Sequence, residues 1–261
     1  MYIDTHCHLN FDAFDTDRMM VIGNAKKVGV KIFINPGNSI FSSHEAIDLA
    51  LKNPRVIYAA VGIHPYEITS NPDIKEIEKI IEYQLLNKNS PLVAIGECGL
   101  DYHPYQEFPA SGKKTEQKQL FEAHCELALK YSLPIIIHCR EAFEDVFQVL
   151  DGLPTMPKGV FHCFSGGLVD AREIEKRGFY LGLDGNSTYS KQLKAVIPTI
   201  PLSMILLETD APYLPPEGHR GERSEPKYVV DIAKNIATLK NIELKEVEEQ
   251  TTTNAKQLFH I

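Results

Sequence analysis

The sequence predicts an α/β fold, a (β/α)8 barrel with an additional C-terminal helix, and three features of its 261 residues carry that prediction. Short apolar runs recur along the chain, and each is followed by a polar loop and a stretch with helical periodicity. The runs are continuously apolar rather than alternating, which is typical of strands buried on both faces of a parallel sheet. Eight such units in a chain of this length are the size of a (β/α)8 barrel. An open, doubly wound sheet is the alternative fold.

The elements can be placed in chain order. We predict eight strands, at residues 2–5, 31–35, 56–61, 92–95, 134–137, 159–161, 179–183 and 204–207. Apolar residues at helical spacing predict helices over 74–86 and 116–131, and residues 243–259 are the predicted helix beyond the eighth unit. No linker or low-complexity tract divides this pattern, so we expect a single domain over residues 1–261.

Composition narrows the class of protein. The chain is 43% hydrophobic and 24% charged, which is ordinary for a soluble globular protein. Its longest apolar stretch, residues 56–63, is far shorter than the roughly 18 residues of a membrane span, and no basic leader follows Met1, so we expect a cytoplasmic protein. The five cysteines form no CxxC pair, which argues against a disulfide framework or a zinc ribbon. The net charge of −8 argues against broad phosphate binding, so an anionic substrate must be attracted locally.

Ionisable residues collect at the carboxyl ends of the predicted strands. In a parallel barrel these ends form the rim that carries the active site, and imidazoles together with carboxylates are the ligands of divalent metals. A lone HxH pair is usually solvated or satisfied in the core, but core histidines have no reason to share one end of every strand. The sequence therefore predicts a metal site built from His6, His8, Glu97, His138, His162 and Asp210, with His64 facing the same opening. The histidines at 44, 124 and 260 fall within predicted helices, where an ordinary structural role is the better interpretation.

Cysteines follow the predicted ligands in a repeated pattern. If His6 and His8 both point into the opening of the barrel, strand alternation directs Cys7 to the opposite face, against the helices. The same relation holds for Cys98, Cys139 and Cys163, which each follow a predicted ligand. We therefore expect these four cysteines to pack as small buried hydrophobes rather than to bind metal.

These motifs together resemble the TatD family of metal-dependent deoxyribonucleases. The resemblance spans the chain and rests on the segments DTHCHL, VGIHP, IGECGLDYH, IIIHCRE, FHCFSG, ETDAPYL, HRG and NAKQLF. It implies a TIM-type barrel that holds two divalent cations, with Mg²⁺ as the usual activator and Mn²⁺ or Zn²⁺ as alternatives. It also implies hydrolysis of DNA phosphodiesters by a metal-activated water, commonly from the 3′ end. The expected partner is DNA, as a single strand or at 3′ ends, with no membrane and no obligate protein partner.

The resemblance also implies roles for single residues. It makes His6, His8 and Asp210 the ligands of one metal, and His138 and His162 the ligands of the other. Glu97 would bridge the two metals and Asp210 would accept the proton of the attacking water, so both are expected to be catalytic.

Four further residues are expected to bind the substrate. Arg140 resembles a phosphate clamp on the same side of its strand as His138, and the alternative is a salt bridge with Glu141 or Glu144. His64 is expected to contact the substrate or the leaving group. Two long rim loops combine aromatic and basic residues suited to stacking bases and holding a single strand, and they contribute Tyr102 and Arg220.

Two departures from the family pattern add negative charge. Glu222 follows the HRG segment where a basic residue is usual, which weakens the expectation of strong nucleic-acid affinity. Asp184 follows the seventh strand where the family has a small or neutral residue. This carboxylate either alters metal occupancy or substrate choice, or it caps the next helix.

Two other functions are compatible with the same residues. The barrel could hydrolyse an ester, lactone or amide, including an aminoacyl ester on RNA, because the same chemistry attacks carbonyl carbon. A protein without enzymatic activity, whose metals are structural or regulatory, is the third interpretation.

Overall fold

Eight parallel strands lie in chain order, β1 to β8, in one sheet of the computed structural model, which describes residues 1–68, 73–105 and 113–261. Each predicted strand is confirmed. Their bounds are β1 Tyr2–Asp4, β2 Val30–Pro36, β3 Ile57–Val61, β4 Leu92–Asp101, β5 Ile135–Arg140, β6 Gly159–Phe161, β7 Tyr180–Leu183 and β8 Ile205–Leu207.

Helices α1 to α7 connect successive strands, and α8 and α9 follow β8. They are α1 Arg18–Lys27, α2 Ile40–Lys52, α3 Ile74–Leu85, α4 Lys114–Tyr131, α5 Phe143–Gly152, α6 Leu168–Lys176, α7 Lys191–Val196, α8 Val229–Lys240 and α9 Leu244–Phe259. The three predicted helices correspond to α3, α4 and α9. Within the described ranges, no helix is both long enough and apolar enough to cross a membrane.

The sheet closes on itself between β8 and β1. Thr5 donates its backbone N–H to Leu207 O at 2.9 Å, and Asp210 donates to His6 O at the same distance. A parallel bridge joins Cys7 to Ala211. Closure makes the sheet a barrel, so the doubly wound alternative is wrong.

The barrel interior is apolar at the end where the strands begin, which we call the lower end. One cluster joins residues of seven strands to three side chains of α9, namely Ile3, Ile34, Ala60, Val93, Ala94, Ile136, Val160, Leu206, Ala255, Leu258 and Phe259. The Asn254 amide of α9 donates to Leu202 O and Ile205 O at 2.9 Å, beside the start of β8. Helix α9 therefore covers the lower end, and the opposite end, which we call the mouth, is left for the ionisable residues.

Strand β4 is longer than predicted, because it continues through a glycine-rich segment. Ile95 is the last residue of the predicted strand, whereas the observed strand ends at Asp101. At Gly99, with φ +146°, a Cβ would lie 2.0 Å from His138 O, so only glycine lets β4 pass this close to β5. The extension pairs Gly99 with His138 and carries Glu97 and Asp101 to the mouth.

Candidate metal centre

One carboxylate oxygen of Glu97 lies beside the first group of predicted ligands, which consists of His6, His8 and Asp210. His6 Nε2 and His8 Nε2 are 3.2 Å apart. Glu97 Oε2 lies 3.4 Å and 3.5 Å from them, and Asp210 Oδ1 lies 3.7 Å and 3.6 Å from them. Four nitrogen and oxygen ligands around a tetrahedral ion, each at roughly 2.1 Å, are separated by about 3.4 Å. The spacing and the donor types therefore fit one divalent ion.

The other oxygen of Glu97 meets the second group. Glu97 Oε1 lies 2.7 Å from His162 Nε2 and 3.0 Å from His138 Nδ1, and the two imidazole nitrogens are 3.2 Å apart. His64 Nε2 is 3.4 Å from the same oxygen. The structure thus brings all six predicted ligands together and adds His64 as a possible seventh. Glu97 stands between the two groups, as a bridging carboxylate must.

The imidazoles keep both central carboxylates ionised. Burial alone would raise the pKa of Glu97, but the nearby histidines, His162 foremost, outweigh burial and hold the pKa well below its usual range. The pKa of Asp210 is lowered as well, because contacts led by the His8 hydrogen bond overcome the effect of burial. The two ionised carboxylates leave the centre suited to positive charge.

The histidines at the mouth differ in their titration. Burial lowers the pKa of His6 and His64, so both are neutral, and the Nδ1 lone pair of His64 accepts a hydrogen bond from Tyr66 N at 3.1 Å. Burial opposes protonation of His138 and His162 too, but adjacent carboxylates outweigh it and raise both pKa values. Metal binding requires neutral imidazole, so protons compete with an ion most strongly at His138 and His162.

Asp101 orients the second group, and sequence reasoning missed it. Its Oδ2 accepts a hydrogen bond from His138 Nε2 at 2.9 Å, which leaves Nδ1 of that ring free to face Glu97. Tyr66 donates its hydroxyl to the same carboxylate oxygen. A carboxylate behind a ligating histidine fixes the tautomer and orientation of the ring. The available signal was an acidic residue in the motif that also supplies Glu97.

Glu208 and Asp4 are buried carboxylates beside two other predicted ligands, His162 and His6. Glu208 is fully buried, and its Oε1 lies 3.7 Å from His162 Nδ1. Asp4 is also fully buried and accepts hydrogen bonds from the backbone of His6 and from the Thr209 hydroxyl, the latter at 2.6 Å. Both carboxylates lie in the sequence motifs that contain predicted ligands. Their position in these motifs could have identified them from the sequence.

The prediction for the cysteines is correct at three positions and wrong at the fourth. Cys7, Cys98 and Cys139 are buried in the large hydrophobic cluster between barrel and helices. Cys163 is not, because β6 ends at Phe161 and the backbone then takes φ +46°, which ends strand alternation. Its thiol lies instead beside carboxylate oxygens at the mouth.

One of these carboxylates belongs to Asp184, a position that departs from the family pattern. Its Oδ1 accepts a hydrogen bond from Asn186 N at 3.0 Å, which confirms the capping interpretation for one oxygen. The residue is only 1% exposed. Burial, with the charges of Glu208 and Asp210, raises its pKa to about 7 although the neighbouring Cys163 thiol opposes the shift.

The predicted substrate-binding residues lie on the rim with partners of their own. Arg140 is exposed and contacts the Tyr105 hydroxyl, and within the described ranges it forms no salt bridge with Glu141 or Glu144. Tyr102 donates its hydroxyl to Asp145 Oδ2 at 2.6 Å, away from the metal ligands.

The remaining rim contacts concern the segment after β8 and the loop after β4. Arg220 stacks over the ring of Tyr189 at 4.7 Å. Glu222 pairs with His219 at 3.0 Å and accepts from the Tyr228 hydroxyl. Residues 106–112 of the predicted β4 loop lie outside the described ranges. Substrate binding by these rim residues stays a prediction.

A parallel (β/α)8 barrel with histidines and carboxylates grouped at its mouth is typical of metal-dependent barrel hydrolases. The family profile described as TatD related DNase matches residues 3–260, and the chain belongs to this family. A Bacillus subtilis protein named an uncharacterized metal-dependent hydrolase, YabD, is 40% identical over 265 residues and both chains are covered completely. A 3′-5′ ssDNA/RNA exonuclease TatD from Erwinia tasmaniensis is 31% identical over 99% of each chain.

Solved structures agree with this assignment. The crystal structure of the TatD homologue YJJV from Escherichia coli matches with a TM-score of 0.89 and 30% identity, over 100% of this chain and 98% of that one. The protein is thus a metal-dependent hydrolase of the TatD family, with a (β/α)8 barrel and a C-terminal helix.

Proposed function

We propose that this protein hydrolyses phosphodiester bonds of DNA, acting from the 3′ end of a single strand with two divalent cations at the mouth of the barrel. The proposal rests on the position of the Glu97 carboxylate between the two groups of histidines. Its Oε2 faces His6 and His8, and its Oε1 faces His138 and His162. Two ions on either side of one carboxylate suit an in-line displacement at phosphorus. Mg²⁺ is the proposed ion in function, and Mn²⁺ or Zn²⁺ would substitute.

Each ligand then has a role. His6, His8 and Asp210 would hold one ion, His138 and His162 the other, and Glu97 both. The ions supply a positively charged centre that lowers the pKa of water and neutralises phosphate oxygens. Asp210 is 9% exposed and its Oδ1 is 3.6 Å from His8 Nε2, so it stays ionised and is placed to take a proton at the mouth.

Charge explains how an acidic protein would attract a polyanion. The chain carries −8 overall. Two divalent ions against the carboxylates of Glu97 and Asp210 leave a local charge of about +2 at the mouth. Arg140 is exposed two residues beyond His138, and its guanidinium would clamp non-bridging phosphate oxygens. His64 is the proposed contact to the substrate, since Glu97 Oε1 already faces two nearer imidazoles.

The decisive experiment measures degradation of matched single-stranded DNA, duplex DNA and RNA by purified protein. We expect 3′-labelled single-stranded DNA to be cleaved, chelation to abolish cleavage, and Mg²⁺ or Mn²⁺ to restore it. Glu97→Ala should retain the folded barrel, judged by circular dichroism, and lose turnover by more than about a hundredfold, since residues behind metal ligands already contribute 10- to 100-fold. Cleavage that survives chelation, or persists in Glu97→Ala, would contradict the two-metal proposal.

A second candidate keeps the metals and changes the bond, to an ester, lactone or amide, including an aminoacyl ester on RNA. One observation favours it: two basic residues after β8 pair with carboxylates, Arg223 with Asp17 at 2.6 Å and His219 with Glu222 at 3.0 Å. A small carbonyl substrate gives Arg140 no role. Unchanged activity in Arg140→Ala would therefore support this candidate, and a large loss would support the phosphodiesterase.

A further inference from the structure

A third group of possible metal ligands lies beside the two already described. Cys163 Sγ, a carboxylate oxygen of Asp184 and a carboxylate oxygen of Asp210 all lie within 4.8 Å of one another. They come from the segments that follow β6, β7 and β8. The segments after three neighbouring strands therefore meet at one point of the rim. Of the three residues, only Asp210 is also a proposed ligand of the two ions described above.

The group contains a buried oxygen with no hydrogen-bond donor. Asp184 Oδ1 is occupied by Asn186 N, but Oδ2 has no hydrogen-bond partner anywhere in residues 1–68, 73–105 and 113–261. The whole residue is 1% exposed, so water does not readily compensate this oxygen. A buried acceptor without a donor is costly, and a cation removes that cost.

The amide of Asn186 completes the surroundings. Its Nδ2 lies 3.8 Å from Cys163 Sγ, and its Oδ1 is a second buried oxygen without a hydrogen-bond partner in the described part of the chain. Rotation of the amide by half a turn would exchange the two atoms and present an oxygen to the thiol side. The site thus offers one sulfur and two carboxylates, and after that rotation it would also offer an adjacent amide oxygen.

We infer that Cys163, Asp184 and Asp210 form a third cation site, which prefers a borderline ion such as Zn²⁺ to Mg²⁺. Thiolate sulfur is a ligand for Zn²⁺ and other soft or borderline ions, whereas Mg²⁺ takes oxygen ligands. On binding, the Cys163 thiol loses its proton to solvent and the sulfur lone pair forms the bond to the ion. Asp184 is a departure from the family pattern, so the site is a property of this chain rather than of every family member.

Occupation of the site has a consequence for hydrolysis. It would engage Asp210, which the proposed function uses as a ligand of the first ion and as a proton acceptor. We therefore expect zinc beyond the first two equivalents to slow turnover supported by Mg²⁺. The inference rests on the proposed function only through this shared residue, and its principal test is a binding measurement that needs no substrate.

The test titrates metal-free protein with Cd²⁺, whose bond to thiolate gives an ultraviolet charge-transfer band. We expect the unaltered protein to bind one more equivalent of Cd²⁺ than Cys163→Ser, with a band that is lost in that variant. Asp184→Asn preserves the Asn186 cap and removes one anionic ligand, so it should weaken the additional equivalent by at least about tenfold. Cys125→Ser, in the buried face of α4, is the matched control and should keep both the band and the stoichiometry.

The outcomes separate the inference from the proposed function. A band that persists in Cys163→Ser, or equal stoichiometry in that variant and the unaltered protein, overturns the third site. If Cys163→Ser does not fold, the weakened binding in Asp184→Asn decides. Loss of the band with no nuclease activity in any sample would refute the proposed function and leave the third site standing.

Discussion

The two ends of the barrel interior are built on opposite principles. At the lower end, aliphatic side chains such as Ile34 and Ile136 pack against Phe259 of α9. These side chains are apolar, so burial stabilises them without hydrogen bonds or ions. At the mouth, imidazole nitrogens of His6 and His8 face one another at 3.2 Å, with Glu97 beside them. Bound cations would stabilise this close arrangement of acceptors and negative charges. The comparison teaches that the lower end carries the stability of the fold and the mouth carries its chemistry.

The largest expected effect comes from opening the lower end. Phe259 is 2% exposed, and Phe259→Ala would leave a cavity that lowers the free energy of unfolding by about 3–5 kcal/mol. Urea unfolding measures this loss, and Phe41→Ala, at a position 73% exposed on α2, is the matched control. Metal content per folded molecule should stay unchanged. If the variant lost metal without losing stability, the division between the two ends would be wrong.

Most of the fold follows from the sequence because strand and helix patterns are local. Continuous apolar runs identified every strand, and periodicity identified α3 and α4. The extent of β4 did not follow, since Gly96 and Gly99 resemble a loop until the close approach of β5 to Gly99 is known. That approach depends on a strand more than thirty residues away in the chain, and local patterns carry no trace of it.

The sequence identified residues that the structure brings together at the mouth, but it identified their surroundings less well. Cys7 was placed correctly, yet Ile3 lies in the barrel interior, and strict alternation from Ile3 would also have placed Cys7 there. The strand ends at Asp4, and this interruption reverses the orientation before His6. A similar interruption after β6 turns Cys163 toward the mouth. Neither break has a signal in the sequence, because both depend on how the barrel closes.

The next prediction concerns His124, a histidine near the mouth that helix periodicity marked as ordinary. Its Nδ1 donates to Leu120 O at 2.8 Å and its Nε2 accepts from Ile63 N at 3.1 Å, beside His64. Burial lowers its pKa to about 4. The unfolded chain takes up the proton near the ordinary pKa of about 6.5, so stability falls as the pH drops from there to about 4, by roughly 3 kcal/mol.

Unfolding measured between neutral pH and pH 4 checks this expectation. His124→Gln should lack that part of the pH dependence, although it is less stable at neutral pH because Ile63 N loses its partner. His44→Gln, at an exposed position of α2, is the control and should keep the full dependence. Identical pH dependence in the two variants would show that His124 is not held neutral by the fold.

A smaller effect is expected behind the metal ligands. Asp101→Asn replaces an acceptor of the His138 Nε2–H bond by an amide, so the ring loses its fixed tautomer. We expect one of two bound ions to be held 10- to 100-fold more weakly, and the ion near His6 to be unaffected. Competition with a chelating dye measures both affinities. Asp145→Asn, which alters a rim carboxylate bonded to Tyr102, should change neither, and equal weakening of both ions in Asp101→Asn would contradict two separable groups.

The smallest expected effect on the metal centre is that of Cys7→Ser. Cys7 lies between two proposed ligands in the sequence, but its thiol is fully buried and points to Ile34 O at 3.8 Å. A serine hydroxyl can donate to the same carbonyl, so we expect a loss of about 1 kcal/mol in stability and unchanged metal stoichiometry by mass spectrometry. Cys163→Ser is the informative counterpart, because its thiol faces the mouth. Loss of metal in Cys7→Ser would mean that this cysteine, rather than Cys163, supplies the sulfur ligand.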